Sequence, residues 1–237
     1  MVELQPHIQL TAQLGIKKAI IVGDPERLNR LAALLTDVEE IAYNREFRSI
    51  KGTYHGKTIL GLSTGIGAPS AAIAVEELHN IGVQEVIRVG SAGAMQNGIQ
   101  LGELIIANGV VRDDGLTMNY APAGYPAVPD AELLANAQKF APAAHFGIVR
   151  SHDGFYMDNN AEVERYWSNL GILGADMESG ALMVVGRLRG IKTLSILNNV
   201  VLYEADLAAG VNDLVNAETQ VAQGEIASLT LALNVLA

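Results

Sequence analysis

The chain has 237 residues, of which 49% are hydrophobic, and a formal net charge of −10. This length and apolar content suffice for one large domain with a full hydrophobic core. The acidic charge, with no compensating block of lysine and arginine, argues against nucleic acid as a partner. The absence of cysteine excludes disulfides, thiol catalysis and cysteine metal sites.

Segments for membrane insertion or export are not expected from the sequence. Asn, Arg or Gly interrupts the longest apolar runs within about ten residues, which is too short to cross a bilayer. The N-terminal stretch lacks the basic region and apolar core of a signal peptide. We therefore expect a cytoplasmic protein with no membrane partner, and the absence of cysteine fits a reducing compartment.

Short β-rich runs alternate with amphipathic helical runs along the chain. Strands are predicted over residues 17–23, 57–64, 84–94, 103–111, 145–151 and 192–201. Helices are predicted over residues 24–35, 68–82, 160–170, 177–189 and 211–235. Strands that alternate with helices indicate a largely parallel central sheet flanked by helices.

Two further stretches modify this α/β pattern. Residues 45–59 alternate around a glycine turn and predict a β-hairpin, so the sheet is expected to be mixed. Residues 120–130 are rich in Pro and Gly and predict an excursion loop that is too short to divide domains. No linker, repeat or low-complexity tract interrupts the sequence, which predicts a single domain over residues 1–237.

The stretch IIVGDPERL joins the first predicted strand to the first predicted helix. The strand ends at Gly23, Asp24 is a natural N-cap, and Pro25 suits the first helical turn. Arg27 lies in that turn, where the helix dipole disfavours a cation but backbone amides favour anions. Arg27 is therefore either a surface residue on a capped helix or a ligand for something negative.

The stretch VIRVGSAGA places Arg88 inside an apolar strand that runs into a glycine turn. A guanidinium cannot shed its charge, so Arg88 must either form a buried ion pair or reach a ligand. Ligands of open α/β sheets bind beyond the carboxyl ends of strands, where Ser91 and the turn amides can donate to an anion. The glycine spacing matches neither the dinucleotide-binding motif nor the P-loop.

The stretch GADMESGALMVVG begins with two carboxylates, Asp176 and Glu178, at the head of an apolar helix. Positions two apart on a helix face different sides, so both acids cannot enter one pocket once the helix has begun. One interpretation is that they stabilise the helix N-terminus. The other is that a carboxylate there accepts hydrogen bonds from a vicinal diol, as in a ribose.

The remaining patterns carry less information. STGIGAPS, residues 63–70, is a second glycine turn between a strand and a helix, and it either lines a pocket or permits tight packing. The five histidines lack metal-binding spacing, so no metal is expected. No GxSxG nucleophile elbow is present.

Taken together, these stretches resemble the nucleoside phosphorylase family, which contains uridine phosphorylases and hexameric purine nucleoside phosphorylases. AYNREFRSIKGTYHGK, YPAVPD and DGFY also match family motifs. All the motifs occur in family order between residue 7 and about residue 185, so the resemblance covers most of the chain. The resemblance implies the nucleoside phosphorylase fold, a single α/β domain with a mixed, mostly parallel sheet.

The resemblance also implies the ligands of phosphate and ribose. Phosphate would be held by Gly23, Arg27, Arg45, Arg88 and Ser91, with Arg45 supplied by a neighbouring subunit. Ribose would be held by Met177, by Glu178 and by His7 of the neighbour. Asp176 stands where the family usually has Glu. Arg88 and Glu178 would be the residues most directly involved in catalysis.

The base is the least determined part of the resemblance. Ala92, Gly93 and Phe155 match positions near the base and sugar. Uridine phosphorylases read uracil with a Gln and an Arg after the FY pair, but this chain has Asn159 and Ala161 there.

A purine-type signature is not intact either. Purine enzymes use an aspartate after the late strand, where this chain has Val200 or Val201, with Asp206 further on. STGIGAPS and YPAVPD resemble uridine phosphorylases more, whereas RVGSAGA resembles the purine enzymes. A uridine-type activity is favoured, and a purine nucleoside remains possible.

The activity implied is the reversible, phosphate-dependent cleavage of a ribonucleoside to free base and ribose 1-phosphate, a pentosyl transfer in nucleoside salvage. Inorganic phosphate is the co-substrate, and no cofactor or metal is implied. The active unit would be a homo-oligomer built from dimers, as in a hexamer, with sites shared between subunits. The alternatives are a nucleosidase of the same fold, disfavoured by the retained arginines, and a non-catalytic nucleoside-binding protein.

Overall fold

The computed structural model describes residues 4–205 and 219–237. Its strands are β1 Lys18–Val22, β2 Thr36–Asn44, β3 Phe47–Tyr54, β4 Lys57–Ser63, β5 Glu85–Ala94, β6 Leu104–Asp113, β7 His145–His152, β8 Gly174–Asp176 and β9 Lys192–Val201. Its α-helices are α1 Arg27–Ala32, α2 Ala68–Asn80, α3 Thr117–Tyr120, α4 Ala131–Phe140, α5 Asn160–Asn169, α6 Ser179–Leu188 and α7 Thr219–Leu236.

The strands form one nine-stranded mixed sheet in the order β2-β3-β4-β1-β5-β8-β7-β6-β9. Strand β9 pairs a second time with β5, so the strands from β5 to β9 close on themselves. Strand β1 lies parallel to both β4 and β5, and β5 lies parallel to β9. The α/β class and the mixed sheet predicted from the sequence are confirmed.

Helices cover both faces of the sheet and bury its apolar side chains. On one face, the small residues of α2 and the apolar residues of α6, such as Leu182, pack on β1 and β4. On the other face, α1, α4 and α7 pack on the central strands, and Leu229 and Leu233 of α7 are fully buried. The strand that carries Arg88, β5, is therefore covered on both sides.

Four of these strands and α-helices were not predicted from the sequence, namely β2, α3, α4 and β8. Strand β2 is mostly exposed and lacks the apolar alternation of a half-buried strand. The predicted hairpin over 45–59 is present as β3 and β4, and β2 extends it by antiparallel pairing with β3. Strand β8 has three residues, which is too short for any periodicity.

The predicted helix over residues 24–35 is shorter than expected. The carboxylate of Asp24 accepts the amide N–H of Glu26 at 2.9 Å, so these residues form a turn ahead of α1. The helix ends at Ala32, and two turn hydrogen bonds connect it to β2. Residues 211–218 of the predicted C-terminal helix, and Asp206, lie outside the described residues, so the extent of the domain over 1–237 stays a prediction.

The predicted glycine turn after Arg88 is wrong. Strand β5 continues to Ala94 because it pairs with β9 and then with β8 over the residues that carry the glycines. A bulge between Ala92 and Gly93 shifts the register there. Among the described helices, none has the length and apolarity needed to span a bilayer.

Strand β7 ends in a buried histidine whose titration affects stability. His152 is 8% exposed, and within the described residues its Nδ1 has no hydrogen-bond partner. Burial, followed by the charge of Arg150, lowers the pKa of His152 below its ordinary value. The unfolded chain therefore binds a proton at a higher pH than the folded protein does.

We predict that the free energy of unfolding decreases as the pH falls below about 6.5, the pKa of histidine in the unfolded chain. The decrease continues until the pH reaches the lower pKa of His152 in the folded protein. One proton changes the slope of unfolding free energy by at most about 1.4 kcal/mol per pH unit. His152→Gln should flatten the pH dependence of the unfolding free energy, measured by urea unfolding between pH 7 and pH 5. Equal slopes for wild type and His152→Gln would contradict the prediction.

Candidate active site

The candidate site is built around the buried guanidinium of Arg88 in β5. Its Nε donates to Asp176 Oδ2 at 3.0 Å, and its Nη2 donates to Glu178 Oε2. The Arg88 side chain is only 4% exposed. Its Nη1 is buried and has no hydrogen-bond partner among the described residues. The sequence left open an ion pair or a ligand, and the structure contains the ion pair with one nitrogen still unused.

The two carboxylates converge on Arg88 because of the way β8 passes into α6. Asp176 is the last residue of β8, and α6 begins at Ser179. Glu178 therefore precedes the helix, with φ −137° and ψ −21°. The helix has not begun at these residues, so the helical spacing that would separate the two side chains does not apply and both reach Arg88.

Asp176 is held within the protein mainly through its Oδ2. Besides Arg88, it accepts hydrogen bonds from the backbone N–H of Ser179 at 3.1 Å and from the Ser179 hydroxyl at 2.6 Å. The Ser179 hydroxyl also lies 2.6 Å from that of Ser195 in β9. These bonds connect Arg88 to the start of α6 and to the neighbouring strand. Asp176 therefore acts as an anchor for the guanidinium.

Glu178 has acceptor capacity left over. Its Oε1 accepts the backbone N–H of Gly67 at 2.6 Å, and its Oε2 accepts from Arg88. Each carboxylate oxygen can accept a second hydrogen bond. Burial raises the pKa of Glu178, and the positive charge of Arg88 opposes that rise. Gly67 lies at φ +102°, a conformation that favours glycine, so STGIGAPS contributes a backbone donor to the site.

Gly90 makes room for the Arg88 side chain. A Cβ atom at Gly90 would lie 2.6 Å from Arg88 Cζ, which is closer than real Cβ contacts allow. The guanidinium folds back over the strand at this position. Gly90 therefore allows close packing of the arginine rather than a turn.

Arg27 is buried, contrary to the interpretation as a surface residue. Its Nε donates to Glu225 of α7 at 2.9 Å. Its Nη1 donates to the carbonyl of Val89 and its Nη2 to the hydroxyl of Ser91, both at 3.1 Å. Arg27 thus reaches from α1 to the same strand that carries Arg88. The Ser91 hydroxyl accepts from Arg27 and keeps its own proton to donate.

Gly23 lies at the carboxyl end of β1, beside Arg27. Its carbonyl accepts the N–H of Gly65 at 2.9 Å, so the turn after β1 is joined to the turn after β4. A Cβ at Gly23 would lie 3.3 Å from the carbonyl oxygen of Gly65. The structure therefore brings Gly23, Arg27, Arg88 and Ser91 to one edge of the sheet.

Arg45 and His7 are not among the contacts of this cluster. Arg45 is exposed in the turn between β2 and β3, at φ +55°, and has no ion pair among the described residues. His7 Nδ1 lies 2.6 Å from Glu77 Oε1, and the His7 carbonyl accepts from Asn44 at 2.8 Å. Asn44 precedes Arg45, so both residues lie beside the same hairpin turn.

The predicted base residues are placed less compactly. Ala92 and Gly93 lie near the end of β5, and half-buried Phe155 packs edge-on against Tyr156 with ring centroids 4.8 Å apart. Asn159 is exposed and lines a cavity of about 440 Å³ between α5 and the ends of β6 and β7. Half-buried Met177 lies between the two carboxylates in the chain.

Several site residues were missed by sequence reasoning. Glu225 was the one acid in an apolar stretch of the last helix, and that isolation was a usable signal. Ser179 and Ser195 carried no sequence signal, because only the fold brings them together. Within the described residues, no three His, Asp or Glu side chains are grouped to hold a metal ion.

This edge of the sheet can bind an anion, and beside it a carboxylate can accept hydrogen bonds from hydroxyl groups. The arginines and the Ser91 hydroxyl supply donors in a partly buried setting, where charge-assisted hydrogen bonds are strong. Glu178 supplies an acceptor a short distance along the same cluster. The site can therefore bind a negatively charged group next to a molecule that carries free hydroxyls.

Comparison with known proteins identifies relatives that match most of the chain. The family model described as the phosphorylase superfamily matches residues 17–233. A guanosine phosphorylase of Halorubrum lacusprofundi is 36% identical over 196 residues, covering 81% of each chain. A uridine phosphorylase of Klebsiella aerogenes is 35% identical over 205 residues, covering 78% of this chain and 81% of the relative.

A solved structure agrees with these sequence matches. The crystal structure of uridine phosphorylase from Vibrio fischeri superposes with a TM-score of 0.91. The two sequences are 48% identical, over 98% of this chain and 96% of the other. With a family model that spans nearly its full length and relatives that share its fold, the chain belongs to the phosphorylase superfamily.

Proposed function

We propose that the protein is a nucleoside phosphorylase that cleaves a ribonucleoside with inorganic phosphate to give the free base and ribose 1-phosphate. The observation that supports this most is the unused, buried Nη1 of Arg88, on a guanidinium whose Nη2 contacts Glu178. A buried cationic donor without a partner is costly unless an anion completes it. Inorganic phosphate is that anion in this proposal.

The phosphate site contains the residues that converge around β5. Arg88 and Arg27 provide charged donors, and Ser91 and the Gly23 turn complete the set on this chain. Arg45 is exposed in its own subunit, so it is free to reach a neighbour's phosphate. Phosphate is a co-substrate here, and the reaction needs neither a cofactor nor a metal.

The ribose site depends on Glu178. Its remaining lone pairs accept hydrogen bonds from the 2′- and 3′-hydroxyls, while Gly67 and Arg88 fix the carboxylate from the other side. Met177 packs beside the sugar, and His7 of a neighbouring subunit completes the pocket. Asp176 does not contact ribose in this proposal because Arg88 and Ser179 occupy its Oδ2 and its side chain is only 1% exposed.

The reaction follows from this placement of charge. As the bond between C1′ and the base nitrogen stretches, the sugar acquires oxocarbenium character and phosphate approaches from the opposite face. The phosphate charge stabilises the sugar cation, and the arginines hold the phosphate in line. Catalysis then rests on positioning and preorganised charge, and no protein nucleophile is needed.

A uridine-type substrate is favoured, with a purine nucleoside as the second candidate. The chain is 48% identical to the Vibrio fischeri uridine phosphorylase. The similarity to the Halorubrum lacusprofundi guanosine phosphorylase supports the second candidate. Ala92, Gly93 and Phe155 lie on the base side of the ribose, and Asn159 stands at the outer end of the pocket.

We further propose that the enzyme works in the cytoplasm in nucleoside salvage, as a hexamer assembled from dimers. The contacts of His7 and Arg45 support a shared site, because both lie beside the exposed β2–β3 turn and neither contacts Arg88 or Glu178 within the described residues. Each dimer would then contain two sites, each completed by the other subunit.

The proposed reaction is tested by incubating the protein with uridine, thymidine, inosine, guanosine and adenosine, with and without phosphate. We predict base release that requires phosphate and yields ribose 1-phosphate. Glu178→Gln should lower kcat/KM for ribonucleosides about 10- to 100-fold and for 2′-deoxyribonucleosides less, because it weakens hydrogen bonds to both hydroxyls.

The matched variant Asp176→Asn should leave the ribose-to-deoxyribose ratio nearly unchanged. Release without phosphate would instead identify a nucleosidase. Nucleoside binding without products would identify a binding protein.

Shared sites are tested by mixing two inactive variants, Arg45→Ala and Arg88→Ala, after dissociation and reassembly. A mixed dimer contains one site with both arginines intact, so we predict that part of the activity returns. Reassembly of each variant alone is the control. Verified mixed oligomers that stay inactive would show that Arg45 does not complete a neighbour's site.

A further inference from the structure

The cavity between α5 and the ends of β6 and β7 contains a buried cation that phosphate and ribose binding leave unused. It measures about 440 Å³ and is lined by Asp113, Arg150, Met157, Asn159, Glu162, Val163, Tyr166 and Trp167. This volume falls in the range of small-molecule sites. Two aromatic rings and a methionine offer flat apolar contacts, and a few polar groups converge between them.

Arg150 is the cation of this cavity. Its side chain is only 3% exposed, and its Nε donates to Asp113 Oδ2 at 2.7 Å. Among the described residues, neither terminal nitrogen of Arg150 forms a hydrogen bond. Asp113 is 39% exposed and has a second carboxylate oxygen available. The pair therefore presents a donor beside an acceptor.

Strand register relates this pair to the end of β5. Arg150 is directly opposite Ala175 of β8, and Ala175 is directly opposite Gly93 of β5. Residues that are directly opposite on paired strands share a face of the sheet. Two strand spacings separate the α carbons of Gly93 and Arg150 by about 10 Å. The side chain of Arg150 rises from this face and contacts Asp113 of β6, which lies on the other side of β7 from β8.

A donor beside an acceptor fits one kind of heterocycle edge. Uracil, hypoxanthine and guanine each have a ring carbonyl next to a ring N–H, so the carbonyl accepts from arginine and the N–H donates to a carboxylate. Cytosine and adenine have an amino group next to an unprotonated ring nitrogen, which reverses both hydrogen bonds. Such a reversal leaves buried polar groups unpaired and is strongly disfavoured.

We propose that Arg150, oriented by Asp113, is the residue that selects nucleobases with a carbonyl next to a ring N–H. The base lies between Gly93 and this cavity, with its sugar toward Glu178. Arg150 donates a terminal N–H to the ring carbonyl, and the free oxygen of Asp113 accepts from the ring N–H. This proposal rests on the proposed phosphorolysis but makes a separate statement about base binding.

The test compares kcat/KM for uridine with that for cytidine, and for inosine with that for adenosine. Wild-type protein should prefer uridine and inosine. Arg150→Met should lower kcat/KM for these two about 10- to 100-fold while changing the other two less than about threefold, with the KM for phosphate unchanged. The control Arg189→Met removes an arginine from an exposed ion pair with Glu76 and should change no ratio.

Calorimetric binding of free uracil and hypoxanthine separates this proposal from the reaction itself. If the wild-type protein binds these bases but cleaves no nucleoside, the proposed phosphorolysis is wrong. Base selection is then still tested by the affinity of Arg150→Met for uracil and hypoxanthine. If that variant does not fold, as judged by circular dichroism, Arg150→Lys provides the test. Lysine keeps the charge but lacks the planar fork, so a partial loss of preference is expected.

Three results would overturn the proposal. The first is a folded Arg150→Met protein that keeps the wild-type ratios of kcat/KM between nucleosides and the wild-type affinity for uracil. If Arg150→Met does not fold, the same result with Arg150→Lys counts instead. The second is wild-type preference for cytidine or adenosine. The third is the absence of any binding of uracil and hypoxanthine to the wild-type protein.

Discussion

The rest of the site depends on one constraint, the burial of a permanently charged guanidinium inside a covered strand. Arg88 cannot lose its proton, and removing it from water costs several kcal/mol unless opposite charge surrounds it. Burial alone would lower the pKa of Arg88, but Glu178 and Asp176 together outweigh that effect and raise it. The chain passes from β8 into α6 in a conformation that brings both carboxylates into contact with the Arg88 guanidinium.

The two carboxylates differ in how many hydrogen bonds they form within the protein. The Oδ2 of Asp176 accepts hydrogen bonds from Arg88 and Ser179, and the Ser179 hydroxyl in turn contacts that of Ser195. Removing one partner of such a buried pair typically costs about 3–5 kcal/mol. Glu178 is held by a single backbone N–H besides Arg88, so it retains capacity for a substrate. In the proposed site, Glu178 would bind the ribose while Asp176 holds the Arg88 guanidinium that both carboxylates contact.

Sequence reasoning predicted the alternation of strands and helices because burial produces strong periodicity in long elements. It also predicted the importance of Arg88, since a charge in an apolar strand needs a partner. It could not predict that Glu178 joins Asp176 on that arginine, because the answer depends on whether α6 starts before or after the two acids. The sequence did not single out Gly67 or Arg150, because their importance depends on contacts and strand register between segments that are distant in the chain.

In the proposed enzyme, two nitrogens of Arg88 form the ion pairs with Asp176 and Glu178, and the third binds phosphate. A crystal structure of the protein with phosphate and a nucleoside bound tests this most directly. Arg88 Nη1 should then lie about 2.7–2.9 Å from a phosphate oxygen, as expected for a charge-assisted hydrogen bond, while Asp176 and Glu178 keep their contacts. Phosphate bound elsewhere, with Nη1 still lacking a partner, would contradict the claim.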